Sequence, residues 1–283
     1  MKSSSRSRQV LAARATRLVA AAAILTTAAT LAACGTPAPV KGGGDDTGGI
    51  KVMASFYPLQ WLTQQIAGTE LTITSLTPKG AEPHDSELEL SSVTALGDAD
   101  LLVTLSGFQS AVDEAAQSNP PKTILDAAPL VDLEDGDPHF WLDPTRMVTL
   151  TQPIADALAK ADPAHADGYR ERAQAATEAL QNLDQDLQAG LEPFRGATMV
   201  TTHAAFRYFA ERYGLQQISV SGIDPEAEAS PARITQVRDQ IKDLTVKTIY
   251  FEDQASPKTA ETLARDLGMT TSMLNPVETD AGG

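Results

Sequence analysis

The sequence predicts an α/β protein of two small lobes with parallel sheets, joined by one long rigid connector helix. Three observations carry this. Short apolar runs alternate with amphipathic stretches on both sides of the chain's middle. The middle holds one long segment with a single apolar stripe. Glycines and prolines fall where helices should end or begin rather than inside them.

Taken in order, "IKVMASF" from Ile50 reads as a buried strand and "PLQWLTQQIAG" as a helix ended by Gly68. "LTITSLT" is a second strand, followed by the loop "PKGAEPHDSELEL"; "SSVTALGDA" is helical and "DLLVTLS" a strand again. Strands alternating with helices build βαβ units and hence a parallel sheet. From Pro163 to Leu191 the apolar positions are Tyr169, Ala173, Ala176, Leu180, Leu183, Leu187 and Leu191, spaced three or four apart along one helix face. Such a helix spans roughly 40 Å, more than one small lobe needs. A coiled-coil arm is the other reading, but α/β pattern on both sides favours a connector. After it "ATMVTT" is a strand and "HAAFRYFAERYG" a helix closed by Gly214. "SPARITQVRDQIKDL" is a helix with Pro231 in its first turn, "VKTIYFE" a strand, and "SPKTAETLARDLG" a helix closed by Gly268. These elements place a first lobe at residues 50–160, the connector at 161–191 and a second lobe at 192–283.

Composition agrees with a globular body: 283 residues, 42% hydrophobic and 21% charged, enough for two lobes with real cores. The N-terminus reads as an export signal over residues 1–33. "MKSSSRSRQVLAARATR" is its basic part and "LVAAAAILTTAATLAAC" an apolar run ending in small residues, too short for a comfortable membrane span. "LAAC" resembles a bacterial lipobox, which makes Cys34 a lipidation site; an ordinary signal peptide with a chance cysteine is the alternative. Cys34 is the only cysteine, so no disulfide or thiolate metal site is available. Residues 34–49 read as a lipidated cysteine and a flexible Gly/Pro/Asp tether. The formal charge is −15; without residues 1–33, 17 basic residues face 37 acidic ones, a charge of −20. Such a surface repels nucleic acid and anionic lipid and attracts cations.

Three of the four histidines fall at strand ends. His84 lies in the loop after "LTITSLT". His139 lies in "DPHFWLDP", where Asp-Pro pairs flank "HFWL" and fix the loop. His203 follows "ATMVTT" at the start of the next helix, where the helix N-terminus disfavours protonation. Ligands of open α/β sheets bind at such carboxyl ends. A lone loop histidine is ordinarily solvated or a cap, whereas three in two lobes could converge only across the cleft. Phe140 and Trp141 are expected to pack behind His139, with Asp143 as a loop cap. His165, at the exposed start of the connector, serves as the contrast.

"PHDSELELSS", "DPHFWLDP", "THAAFRYFAERYGL" and "FEDQASPKTAETLARDLG", in this order behind a lipobox, resemble the metal-specific (cluster A-I) substrate-binding lipoproteins of bacterial ABC importers for zinc or manganese. The resemblance covers about residues 50–276. It implies a monomer, lipid-anchored on the outer face of the cytoplasmic membrane, that binds Zn2+ between its lobes and delivers it to a membrane permease. It implies His84, His139 and His203 as the first three ligands, and a histidine at the third position favours zinc over Mn2+, the alternative cargo. The fourth position departs from the family: "LNP" stands where Leu-Asp-Pro is usual, so Asn275, Glu252 or a water is expected there, with Asp224, Asp280 and Glu82 as weaker candidates. Glu252 could instead orient a histidine. The His-rich acidic loop of many zinc carriers is reduced to "DLEDGDPH", and the final helix that the resemblance implies is not seen before "ETDAGG". A surface adhesin is another reading of such a lipoprotein. A zinc hydrolase is disfavoured because no HExxH occurs.

Overall fold

The computed structural model describes residues 49–227, 229–252 and 257–280. The export signal, Cys34 and the tether lie outside them. The first sheet is built from β1 (Val52–Ala54), β2 (Ile73–Ser75), β3 (Leu101–Thr104) and β4 (Ile124–Asp126), in the order β2-β1-β3-β4 and all parallel. Val52 sits opposite Ile73 on one side and Leu101 on the other. Every residue of β1 and β3 is buried, as expected for strands covered on both faces. One face carries Phe56, just ahead of α1 (Tyr57–Ala67), and Leu59, Leu62 and Ile66 within it, together with the helices described below. The other carries Leu96 of α2 (Leu90–Gly97) and Val112 and Ala115 of α3 (Ser110–Ser118). Gly68 ends α1 at φ +70°, and a Cβ there would stand 2.7 Å from Arg172 Nε, so only glycine fits.

Two antiparallel neighbours follow. α4 (Pro144–Ala161) buries Met147, Leu150, Thr151, Ile154, Ala155 and Leu158, a helical stripe that continues through Pro153. α5 (Ala166–Leu191) is the expected long helix, beginning after a short turn at 163–165. It is not a free-standing strut. Tyr169, Ala173, Ala176 and Leu180 are buried in the first lobe's core, and Arg172 donates to the carbonyls of Ile66 and Ala67. The stripe then leaves the core: Leu183 is exposed and the next buried position is Asp184.

The second sheet repeats the first in topology. β5 (Thr198–Thr201), β6 (Gln216–Ser219), β7 (Thr248–Phe251) and β8 (Thr270–Met273) run parallel in the order β6-β5-β7-β8. They are joined by α6 (Arg207–Tyr213), α7 (Pro231–Ile241) and α8 (Lys258–Leu267). Val200, Ile249, Val237, Ile241 and Leu263 make its core. Tyr208 of α6 instead joins the core of the first lobe, so the two lobes share buried surface. Among the described residues, no helix is long and apolar enough to cross a membrane.

Candidate metal centre

In both sheets the strand order reverses between the two central strands, the place where open α/β folds leave a crevice at the carboxyl edge. Four loops meet there. His84 comes from the loop after β2, His139 from the loop after β4, His203 from the turn after β5, and Glu278 from the segment after β8. One donor atom from each lies within 4.8 Å of all the others. His84 Nε2 and His139 Nε2 are 3.3 Å apart. Glu278 Oε1 lies 3.0 Å from His139 Nε2, 3.7 Å from His84 Nε2 and 4.0 Å from His203 Nδ1.

These spacings test whether a cation fits. Bonds of about 2.0–2.1 Å to a tetrahedral ion separate neighbouring donors by roughly 3.3–3.4 Å. The observed separations bracket that value. His139 and His203 are buried, as is Glu278, and apart from the imidazole nitrogens no donor is aimed at Glu278 Oε1. With those nitrogens unprotonated the oxygen is buried without a donor, which is costly, and a divalent cation among three imidazoles resolves it. The donor set is three nitrogens and one oxygen, a tetrahedral N3O arrangement.

Each donor is held by a partner of its own. Asp137 Oδ1 faces both His139 Nδ1 at 2.7 Å and the His139 backbone N–H at 3.0 Å. The proton therefore sits on Nδ1 and Nε2 points its lone pair into the cluster. His203 Nε2 lies 2.6 Å from the carbonyl of Ile223 and donates to it, which leaves Nδ1 on the cluster side, 2.7 Å from Glu252 Oε1. The His84 loop is tied by Gln109, whose buried amide donates to Pro83 O and Thr77 Oγ1. Behind the imidazoles stand aromatic rings: Trp141 lies 5.1 Å from His139, Phe108 lies 4.7 Å from His84, and Phe56 meets Trp141 edge-on at 5.0 Å.

The electrostatics follow from this crowding. Burial alone would push the Glu278 carboxyl up, but the neighbouring His139 and His84 outweigh it and hold it down at about 2. Burial would pull His139 down, yet Asp137 and Glu278 raise it above the ordinary imidazole value. Glu278 Oε1 and His139 Nε2 face each other at 3.0 Å, so protonation of the ring nitrogen is coupled to the charge of the carboxyl group.

The sequence reading did not name Glu278, which the structure brings to the three histidines. Asn275 turns its Oδ1 onto the Val277 N–H at 2.6 Å, so it shapes the turn that presents Glu278. Glu252 lies 2.7 Å from His203 Nδ1, the cluster-side nitrogen, but is not among the four groups whose donor atoms all converge. Glu82 accepts from the His84 and Asp85 N–H groups, Asp224 from the Glu226 N–H, and Asp280 pairs with Lys79 at 3.1 Å. One signal could have pointed to Glu278: it is a glutamate two residues past the Asn275-Pro276 turn, where the resemblance expects the fourth donor nearby. His203 also departs from its expected setting. The helix begins only at Arg207, because Ala204 N–H bonds across to Gly222 O and the His203 carbonyl accepts from Thr201 Oγ1 and Gln217. A helix N-terminus therefore does not act on the ring. Phe140 and Trp141 are buried, Asp143 caps α4 through Thr145 N–H, and His165 is exposed beside Asp162.

Comparison with known proteins places this arrangement in context. Residues 52–283 match the ZnuA family, described as "Zinc-uptake complex component A periplasmic". The zinc-binding protein AdcA of Streptococcus pyogenes is 34% identical over 262 residues, covering 82% of this chain and 51% of that protein. The chain thus spans about half the length of the curated relatives it first matches. The laminin-binding protein Lmb of Streptococcus agalactiae, described as a bifunctional protein with adhesin and metal-transporting activity, superposes with a TM-score of 0.77. It is 32% identical, over 83% of this chain and 93% of that one. The Zn(II)-bound ZnuA-like domain of Streptococcus pneumoniae AdcA superposes with a TM-score of 0.69 at 33% identity, over 82% and 89% of the two chains.

Proposed function

We propose, since this chain belongs to the ZnuA family of periplasmic zinc-uptake components, that it captures Zn2+ outside the cytoplasm and hands it to the membrane permease of an ABC importer. The observation that carries the reading is the largely buried set of His84, His139, His203 and Glu278, with a carboxylate oxygen that meets only imidazole nitrogens at near-tetrahedral spacings. Three neutral imidazoles favour zinc over manganese, which prefers more anionic oxygen donors. Cys34 would carry the lipid that holds a monomeric body to the outer face of the membrane. The likeness to zinc-binding AdcA, also named a lipoprotein in Streptococcus pneumoniae, supports this.

The test is metal content and competitive affinity for zinc against manganese at pH 7.5, on the protein and on His84→Ala, His139→Ala, His203→Ala and Glu278→Gln. One tightly held zinc, weakened in every variant, is expected. Indifference to all four substitutions would remove the site. The likeness to Lmb supports a second role as an adhesin, which would appear as binding to laminin that survives loss of the metal ligands.

A further inference from the structure

Glu278 belongs to the second lobe by sequence, yet the segment that carries it is fastened to the first. The indole Nε1 of Trp141 donates to the carbonyl of Pro276 at 2.8 Å, a buried hydrogen bond between residues 135 positions apart. Past Glu278, Asp280 pairs with Lys79 on the loop that bears His84. Between these two ties the backbone is forced. Val277 takes φ +62°, a left-handed conformation that is a genuine outlier for a β-branched residue. Its side chain is 47% exposed, so burial does little to offset the strain. Two contacts keep the turn closed: the Asn275 side chain on Val277 N–H and the Trp141 indole on Pro276 O.

We propose that Trp141 is a positioning residue for the fourth donor. Its N–H holds the strained 275–278 turn against the loop of His139, and this fixes Glu278 Oε1 against the imidazoles. The indole is suited to the task, having one donor and no acceptor. It lies two residues from His139, so one rigid loop sets the distance between the second and fourth donors. Without that hydrogen bond, the Val277 backbone relaxes toward ordinary φ values and Glu278 swings away from the cluster. The proposal rests on Glu278 being a ligand, and the experiment separates the two claims.

The experiment compares Trp141→Phe, Glu278→Gln and the double variant with the full-length protein, by zinc competition against a chromophoric chelator and by the visible spectrum of the Co2+ form. Phenylalanine keeps an aromatic ring against Phe56 and removes only the donor. We expect Trp141→Phe to weaken zinc about 10–100-fold and to change the Co2+ ligand-field bands as Glu278→Gln does. The double variant should bind no more weakly than Glu278→Gln alone, because Trp141 acts through Glu278. An unchanged affinity in Trp141→Phe, or an equal further loss in the Glu278→Gln background, overturns the positioning role. A Glu278→Gln protein that binds as tightly as wild type overturns the ligand assignment itself.

Discussion

The hydroxyl of Tyr208 donates to the backbone carbonyl of Asp137 and accepts from the N–H of Glu134, both at 2.8 Å. Tyr208 lies on α6, five residues after His203, and Asp137 orients His139. One buried ring thus joins the segment of one ligand to the loop of another, with the Arg146 guanidinium stacked over its face at 4.5 Å. Arg207 reinforces the same junction through Glu134 and Asp135.

Tyr208→Phe removes both hydrogen bonds while keeping the ring. The expected cost is about 1–3 kcal/mol, read as a lower urea midpoint with an unchanged slope. Zinc affinity should fall as well, because the Asp137 loop loses its brace. A protein as stable and as tight as wild type would show that the hydroxyl carries no part of the junction.

Zinc binding should weaken with acid. The raised pKa of His139 means that the proton it holds stabilises the metal-free protein. That contribution is complete at low pH and is lost as pH rises through the raised native value. Glu278, held at about 2, stays ionised throughout this range. The ion must therefore displace a favourably placed proton, and affinity should fall as pH drops through the raised His139 value, by roughly tenfold or more per pH unit below about pH 6.5. Competition titrations at pH 5, 6 and 7.5 measure it; equal affinities would contradict the three-imidazole site.

Glu252 stands 2.7 Å from His203 Nδ1, the ring nitrogen turned toward the cluster, so its carboxylate adds negative charge beside the ion. Replacing it with alanine should lower zinc affinity about 10–100-fold. His165→Ala, at the exposed start of α5, should leave affinity unchanged. Equal behaviour of the two variants would mean that Glu252 plays no part in metal binding.

The buried carboxylate of Asp184 receives Arg212 in two contacts, at 2.8 and 2.5 Å, and the hydroxyl of Tyr213 at 3.2 Å. Arg212 holds its pKa below the ordinary carboxylate value, with burial opposing. A depressed acid stabilises the fold above its unfolded pKa, and that support is lost as pH falls through the native value. Asp184→Asn should therefore cost about 1–3 kcal/mol at pH 7, and the gap to wild type should narrow below roughly pH 4. Thermal melts at pH 7 and pH 3 test this; a gap that persists at pH 3 would assign the effect to packing.

Much of the architecture was legible because apolar runs and helix ends have a local cause. Val52–Ala54 and Leu101–Thr104 are continuous apolar runs, and Gly68, Gly214 and Gly268 end helices at positive φ. β4, β6 and β8 were not read: strands of three or four residues with half-exposed polar faces give no usable alternation. α4 was hidden by Pro153, which reads as a stop although the helix runs through it. The three histidines could be found because imidazole is scarce in this chain and strand ends are recognisable. Glu278 could not, since its place depends on a left-handed Val277 and a hydrogen bond from Trp141. Neither has a local signature.

The donors are held unequally: His84 and His139 sit on first-lobe loops and Glu278 is fastened to them, whereas His203 alone is held by the second sheet. If the lobes part, a bound ion keeps a three-toothed half-site and loses a single bond.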